Sequence, residues 1–183
     1  MWHAKPGRPW GYEIVVPLYS LDGEMVSLQA RTTCRAIGDA PRVMTPRGGK
    51  GSTVVFASVR GLALLRGERP AGPVLLGEGL TDHLTLTLAA AGRWPVLSTP
   101  GASVARSAID EWARGRTVLV ALDQDAAGER AAYEVAERVR AHGGWPRRMR
   151  WDEAQKDAND ALLAAGLERF MDELLAAIEE VKA

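Results

Sequence analysis

Apolar positions along this chain follow two rhythms. Residues 13–19 and 25–31 are candidate strands, the second alternating Val26, Leu28 and Ala30 against Ser27 and Gln29, and Leu21-Asp22-Gly23-Glu24 between them has turn composition. This pattern predicts a β-hairpin. Thr53-Val54-Val55-Phe56, Val74-Leu75-Leu76-Gly77 and Leu119-Val120-Ala121-Leu122 are short, β-rich apolar runs that read as further strands. From Ala126 to His142 the rhythm changes: Ala127, Ala131, Val135 and Val139 recur every four residues, predicting a helix with one face on a sheet, closed by Gly143-Gly144. Residues 167–181 carry Leu167, Phe170, Met171, Leu174, Leu175, Ile178 and Val181 at helical spacing, an amphipathic helix suited to packing against a core or an interface.

Strands alternating with helices predict an α/β fold, a mostly parallel sheet flanked by helices. Arg69-Pro70-Ala71-Gly72-Pro73 is the best boundary, rich in Pro and Gly just before the run Val74-Leu75-Leu76-Gly77. It divides a small α+β subdomain over 1–70 from a sheet domain over 71–165, with the terminal helix at 166–183.

The chemistry is concentrated where apolar runs end. Leu122 is followed by Asp123-Gln124-Asp125-Ala126-Ala127-Gly128, Gly77 by Glu78-Gly79-Leu80-Thr81-Asp82, and further acids follow at Lys156-Asp157-Ala158-Asn159-Asp160. In a parallel sheet, ligands gather at the carboxyl ends of strands, so Glu78 and Asp123 are expected at one edge. The stretch from 79 to 117 has room for helix, strand and helix between them. Carboxylates crowded together repel, and their hard oxygens suit Mg²⁺ or Mn²⁺, which also bind phosphate oxygens. Single residues have simpler readings: Asp125 suits a helix cap before Ala126, and Asp82, one turn into a helix, suits the macrodipole. His83 reads as a surface or packed side chain, and His3 and His142 have no partners in spacing.

These motifs resemble the Toprim domain, shared by bacterial primases, type IA and II topoisomerases and some nucleases. Glu78-Gly79-Leu80-Thr81-Asp82 is similar to its first motif, and Leu122-Asp123-Gln124-Asp125-Ala126-Ala127-Gly128 to its second in the primase form. Lys156-Asp157-Ala158-Asn159 resembles the third acidic element of phage primase-helicases; Asn159 stands where bacterial primases often have another aspartate. Leu97–Ser103 resembles a turn after the second Toprim strand. Val15–Leu18, Asp22–Val26, Gln29–Arg31 and Pro41–Met44 resemble the basic subdomain that precedes Toprim in replicative primases.

The resemblance implies a DNA primase core that makes short RNA primers on single-stranded DNA. Glu78, Asp82, Asp123, Asp125 and Asp157 would serve Mg²⁺ or Mn²⁺, with Glu78, Asp123 and Asp125 catalytic. Glu78 would either complete the cage or position a proton-transfer water. Arg31, Arg42 and Lys50 would engage template or nucleotide. Implied partners are the DNA template, ribonucleoside triphosphates and a replicative helicase or other modules of a longer, phage-type or bacterial chain. A Toprim nuclease or strand-transferase would use the same carboxylates, and a non-catalytic nucleic-acid-binding module would not need metal. With one cysteine, the zinc-binding module usual at a primase N-terminus is not expected within this sequence.

Charge sharpens the division. Formal net charge is zero over 183 residues, yet residues 1–72 hold ten Lys/Arg against five Asp/Glu, while 73–183 hold thirteen against eighteen. This is either a basic nucleic-acid surface beside an acidic platform or ordinary solvated charge. Trp10, in the basic half, is the one tryptophan worth testing for base stacking. Cys34 is the sole cysteine, which leaves no intrachain disulfide or Cys-rich zinc site and fits a reducing cytoplasm. No run approaches the roughly 20 apolar residues of a spanning helix, and Met1–Pro6 lacks a secretory core, so a cytoplasmic protein with no membrane partner is expected.

Overall fold

The structure, a computed structural model, describes residues 12–33, 42–45, 54–101 and 112–179. Its strands are β1 (Ile14–Ser20), β2 (Met25–Arg31), β3 (Val43–Met44), β4 (Val54–Ala57), β5 (Val74–Glu78), β6 (Val96–Thr99), β7 (Thr117–Ala121) and β8 (Trp145–Arg148). Its helices are α1 (Val59–Leu65), α2 (Gly79–Ala90), α3 (Ala126–Ala141), α4 (Ala158–Ala165) and α5 (Leu167–Glu179). The predicted hairpin is present, with β1 one residue later than the expected 13–19.

The described strands form one sheet in the order β3-β2-β1-β4-β6-β5-β7-β8. β5 lies parallel to β6 and β7, and β7 parallel to β8, as expected for βα units. β4 pairs antiparallel with β6 on one side and β1 on the other. The N-terminal hairpin therefore extends the sheet in antiparallel sense, and the whole sheet is mixed.

Period-two alternation sorts β5 and β7 between two cores. Val74, Leu76, Val118 and Val120 face one cluster with Leu64, Leu65, Val135 and Val139, beneath α1 and α3. Leu75 and Leu119 face the other with Leu86, Phe170, Leu174 and Ile178, beneath α2 and α5. The two faces explain the nearly continuous apolar runs: strands covered on both sides have no solvated side to mark. Phe170, Leu174 and Ile178 are buried, so the amphipathic C-terminal helix packs on the core.

Helix α4 had no periodic signal of its own. The acids at 157–160 lie at the start of the short helix α4, reached through a loop after β8; Asp157 does not follow a strand directly, unlike Glu78. Among the described residues no helix is long and apolar enough to cross a membrane.

Candidate metal centre

The register of β5 and β7 sets two acids side by side. Gly77 pairs with Ala121, so Glu78 and Asp123 emerge from neighbouring strands at the same end of the sheet. Adjacent strands are about 4.8 Å apart, which makes the two side chains neighbours in space. Glu78 occupies the cap position of α2 but makes no capping hydrogen bond. Gly79 follows with φ +74°, a left-handed turn that carries the chain from strand to helix and leaves the carboxylate at the edge. Glu78 Oε2 is buried and has no hydrogen-bond partner among the described residues. Burial, then the charges of Asp123 and Asp125, raise its pKa.

Asp125 does two things. Its Oδ1 accepts from Ala127 N–H at 3.0 Å and Gly128 N–H at 2.9 Å, the predicted N-cap of α3. These bonds, with Gly128 first, hold its pKa low. Oδ2 remains for a cation. Gly128 sits directly over the backbone of Asp123, where a Cβ would collide with the Asp123 carbonyl, so the glycine of this motif permits the tight turn.

Asp157 caps α4, accepting from Asp160 N–H at 2.8 Å, and burial chiefly raises its pKa. Asp82 lies behind it, 1% exposed. Its Oδ1 accepts from the N–H of Asn159 at 3.2 Å, while Oδ2 is buried without a hydrogen-bond partner among the described residues. Burial, then the charge of Asp157, pushes its pKa up to about 8. Asn159 also accepts from the Thr85 hydroxyl at 3.4 Å, which ties α2 to α4.

Three side chains that the sequence did not single out assemble the edge. Gln124, the middle residue of Asp-x-Asp, donates from its side chain to the carbonyls of Trp151 at 3.3 Å and Gln155 at 2.9 Å, and accepts from Trp151 N–H at 2.8 Å. Its backbone N–H donates to the Lys156 carbonyl at 2.7 Å. Arg148 donates to the carbonyls of Val120, Leu122, Met149 and Asp123 and to Glu129, fastening the end of β7. Lys156 Nζ stands 2.8 Å from Asp123 Oδ2 and 3.7 Å from Asp125 Oδ2. Only the general preference of acids for cations hinted at Lys156; nothing local marks Gln124 or Arg148.

The other expected residues lie elsewhere. Arg31 ends β2 and Arg42 precedes β3, four and five strands from β5, roughly 19 and 24 Å across the sheet. Arg31 pairs with Ile14 at the far end of β1, whereas Tyr19 is the position beside Val55. The sheet thus holds Arg31 away from the acidic end. Lys50, Trp10 and Cys34 lie outside the described residues. His83 is a packed histidine: 3% exposed, stacked on Phe56 at 5.5 Å and 3.3 Å from the Ser98 hydroxyl. Burial lowers its pKa to about 4, so it is neutral.

The donor set fits a hard divalent cation. It is all carboxylate oxygen, two of those oxygens are buried without hydrogen-bond partners among the described residues, and an ammonium already stands against Asp123 and Asp125. Among the described residues, no three acidic, His or Cys side chains converge into a finished cage. Mg²⁺ commonly takes only one or two carboxylates and leaves its other positions to water and phosphate oxygens.

Solved structures of similar fold include primases. A chain in the structure of bacteriophage T7 lagging-strand DNA polymerase interacting with primase domains bound to an RNA/DNA hybrid and dTTP is 22% identical, with TM-score 0.62, covering 88% of this chain and 76% of that one. The Aquifex aeolicus primase, zinc-binding and RNA polymerase domains, is 18% identical with TM-score 0.63, covering 97% and 43%. The DnaG primase catalytic domain bound to single-stranded DNA is 20% identical with TM-score 0.59, covering 90% and 51%. The chain thus spans about half the length of the last two. No curated protein matches it. The Toprim domain family matches residues 73–168, the segment that contains β5 to α4 and all five acids, and the chain belongs to that family.

Proposed function

We propose that the chain is the catalytic core of a DNA primase, a nucleotidyltransferase that joins ribonucleotides into short RNA primers on single-stranded DNA. The observation that carries this reading is that Glu78 and Asp123 stand at the ends of the neighbouring strands β5 and β7, with Asp125 and Asp157 within electrostatic reach of them, in a fold shared with primase cores. The structures of similar fold that hold single-stranded DNA, or an RNA/DNA hybrid and dTTP, support the same template and nucleotide partners. A replicative helicase is a fitting further partner and the cytoplasm a fitting location.

Asp123, Asp125 and Asp157 would hold Mg²⁺ or Mn²⁺, directly or through water, and Asp82 would brace α4 beneath them. Such an ion supplies positive charge to offset the charge on the reacting triphosphate. The chain's own part is orientation and proton handling. The cap bonds leave Asp125 Oδ2 facing outward, and Gln124 holds the 156–157 loop over the strand ends. Glu78 Oε2, buried, without a hydrogen-bond partner among the described residues and with raised proton affinity, is suited to accept the proton of an attacking hydroxyl. Residues 1–70 would form the basic part of the core, with Arg31, Arg42 and Lys50 contacting phosphates of template or nucleotide.

The test is incubation of the chain with single-stranded DNA, labelled ribonucleoside triphosphates and Mg²⁺ or Mn²⁺. Short RNA products support primase. Shortened DNA would assign the same carboxylates to a nuclease, and neither product would leave a binding module.

A further inference from the structure

We propose that Lys156 is a built-in counterion of the acidic edge, which a divalent cation must displace in order to bind. The inference deepens the metal-platform reading and rests on it. The Lys156 ammonium touches Asp123 Oδ2 at 2.8 Å and faces Asp125 Oδ2 at 3.7 Å. Asp125 Oδ1 is already committed to two helix N–H groups, so Oδ2 is the oxygen of that residue left for a cation. Ammonium and metal therefore compete for the same oxygens.

The loop is built so that only the side chain has to move. The Lys156 carbonyl accepts from Gln124 N–H at 2.7 Å, and its own N–H donates to Asp160 Oδ2 at 3.3 Å. The backbone is thus pinned beside Asp123 from both sides. The Lys156 side chain is 57% exposed, against 18% for Asp123, and can withdraw into solvent. Without metal, the single positive charge reduces repulsion among the carboxylates. A divalent ion brings twice the charge and binds several oxygens at once, so it can take the position, but it must first break the existing pair.

Two effects of removing the lysine act in the same direction. The metal no longer displaces an ammonium, and no fixed positive charge stands beside it. A partly exposed pair of this kind corresponds to about a two- to fivefold effect on an equilibrium. Mn²⁺ binding to the full chain is measured by calorimetry for the natural protein, Lys156→Met and Lys156→Arg, with thermal melts in EDTA. Lys156→Met is expected to bind Mn²⁺ about two- to fivefold more tightly or better, and to melt lower in EDTA, while Lys156→Arg stays near the natural protein. Equal or weaker Mn²⁺ affinity in Lys156→Met, or an EDTA melt that does not fall, overturns the proposal while leaving the metal platform standing. If the natural protein binds no Mn²⁺ at millimolar concentration, the platform itself fails and the counterion with it.

Discussion

The backbone N–H of Gln124 donates to the carbonyl of Lys156 at 2.7 Å, joining the Asp-x-Asp turn to the loop that carries the third acid. The Gln124 side chain adds three more hydrogen bonds to Trp151 and Gln155. One residue thus sets the position of Asp157 relative to Asp123 and Asp125.

Gln124→Leu should therefore damage both stability and the site. It strands the Trp151 N–H and two carbonyls, a loss of about 1–3 kcal/mol. For a chain of this size that lowers the melting temperature by roughly 2–12 °C. Mn²⁺ affinity should fall with it. A variant that melts and binds like the natural protein would show that the clamp is dispensable.

Asp125 separates its two duties by substitution. Asn is as good a cap as Asp, so Asp125→Asn should melt close to the natural protein, whereas Asp125→Ala loses the cap of α3 at a cost of about 1 kcal/mol. Both should lose metal-dependent primer synthesis. If Asp125→Asn keeps full activity, Asp125 serves α3 alone.

Asp82 predicts a pH dependence. Its pKa is about 8 in the folded chain against 3.8 as an ordinary aspartate, so the folded state holds the proton more tightly. The stability this contributes is complete below the lower value and is lost as pH rises through the higher one. Asp82→Asn keeps an acceptor for Asn159 N–H but cannot ionise. Its metal-free melting temperature should rise relative to the natural protein between about pH 5 and about pH 9, a range that spans most of that loss. A difference that stays constant over this range would contradict the assignment.

Legibility in the sequence followed how local each feature is. The positions of Glu78 and Asp123 could be read because an apolar run ending in an acid is visible within a few residues, and α3 could be read because Ala127, Ala131, Val135 and Val139 mark one face. The Asp125 cap was visible for the same reason. Arg148 and Gln124 were not, since nearly all their partners lie 19 to 32 residues away in sequence, beyond the reach of any local pattern. The burial of Asp82 depends on α4 docking over α2, a contact 77 residues apart in sequence. Joining of the hairpin to the main sheet rests on β4 pairing with β6, which alternation within either strand does not reveal.

Arg31 and Arg42 test the reach of the nucleic-acid surface, since the sheet sets them well away from the acids. Arg31→Ala and Arg42→Ala should each weaken single-stranded DNA binding and reduce its salt slope by about 0.7 for every phosphate no longer neutralised, leaving Mn²⁺ affinity unchanged. Unchanged affinity and slope in both variants would remove these residues from the DNA path.

The central claim is that the carboxylates at the ends of β5 and β7 carry nucleotidyl transfer. Its most direct measurement is metal-dependent formation of short labelled RNA on a single-stranded DNA template, with the natural chain and Asp123→Asn side by side. Short RNA is expected from the natural chain with Mg²⁺ or Mn²⁺, none with EDTA, and at least about a hundredfold less from a folded Asp123→Asn. RNA made equally well by Asp123→Asn, or no RNA from the natural chain under any metal, would contradict the claim.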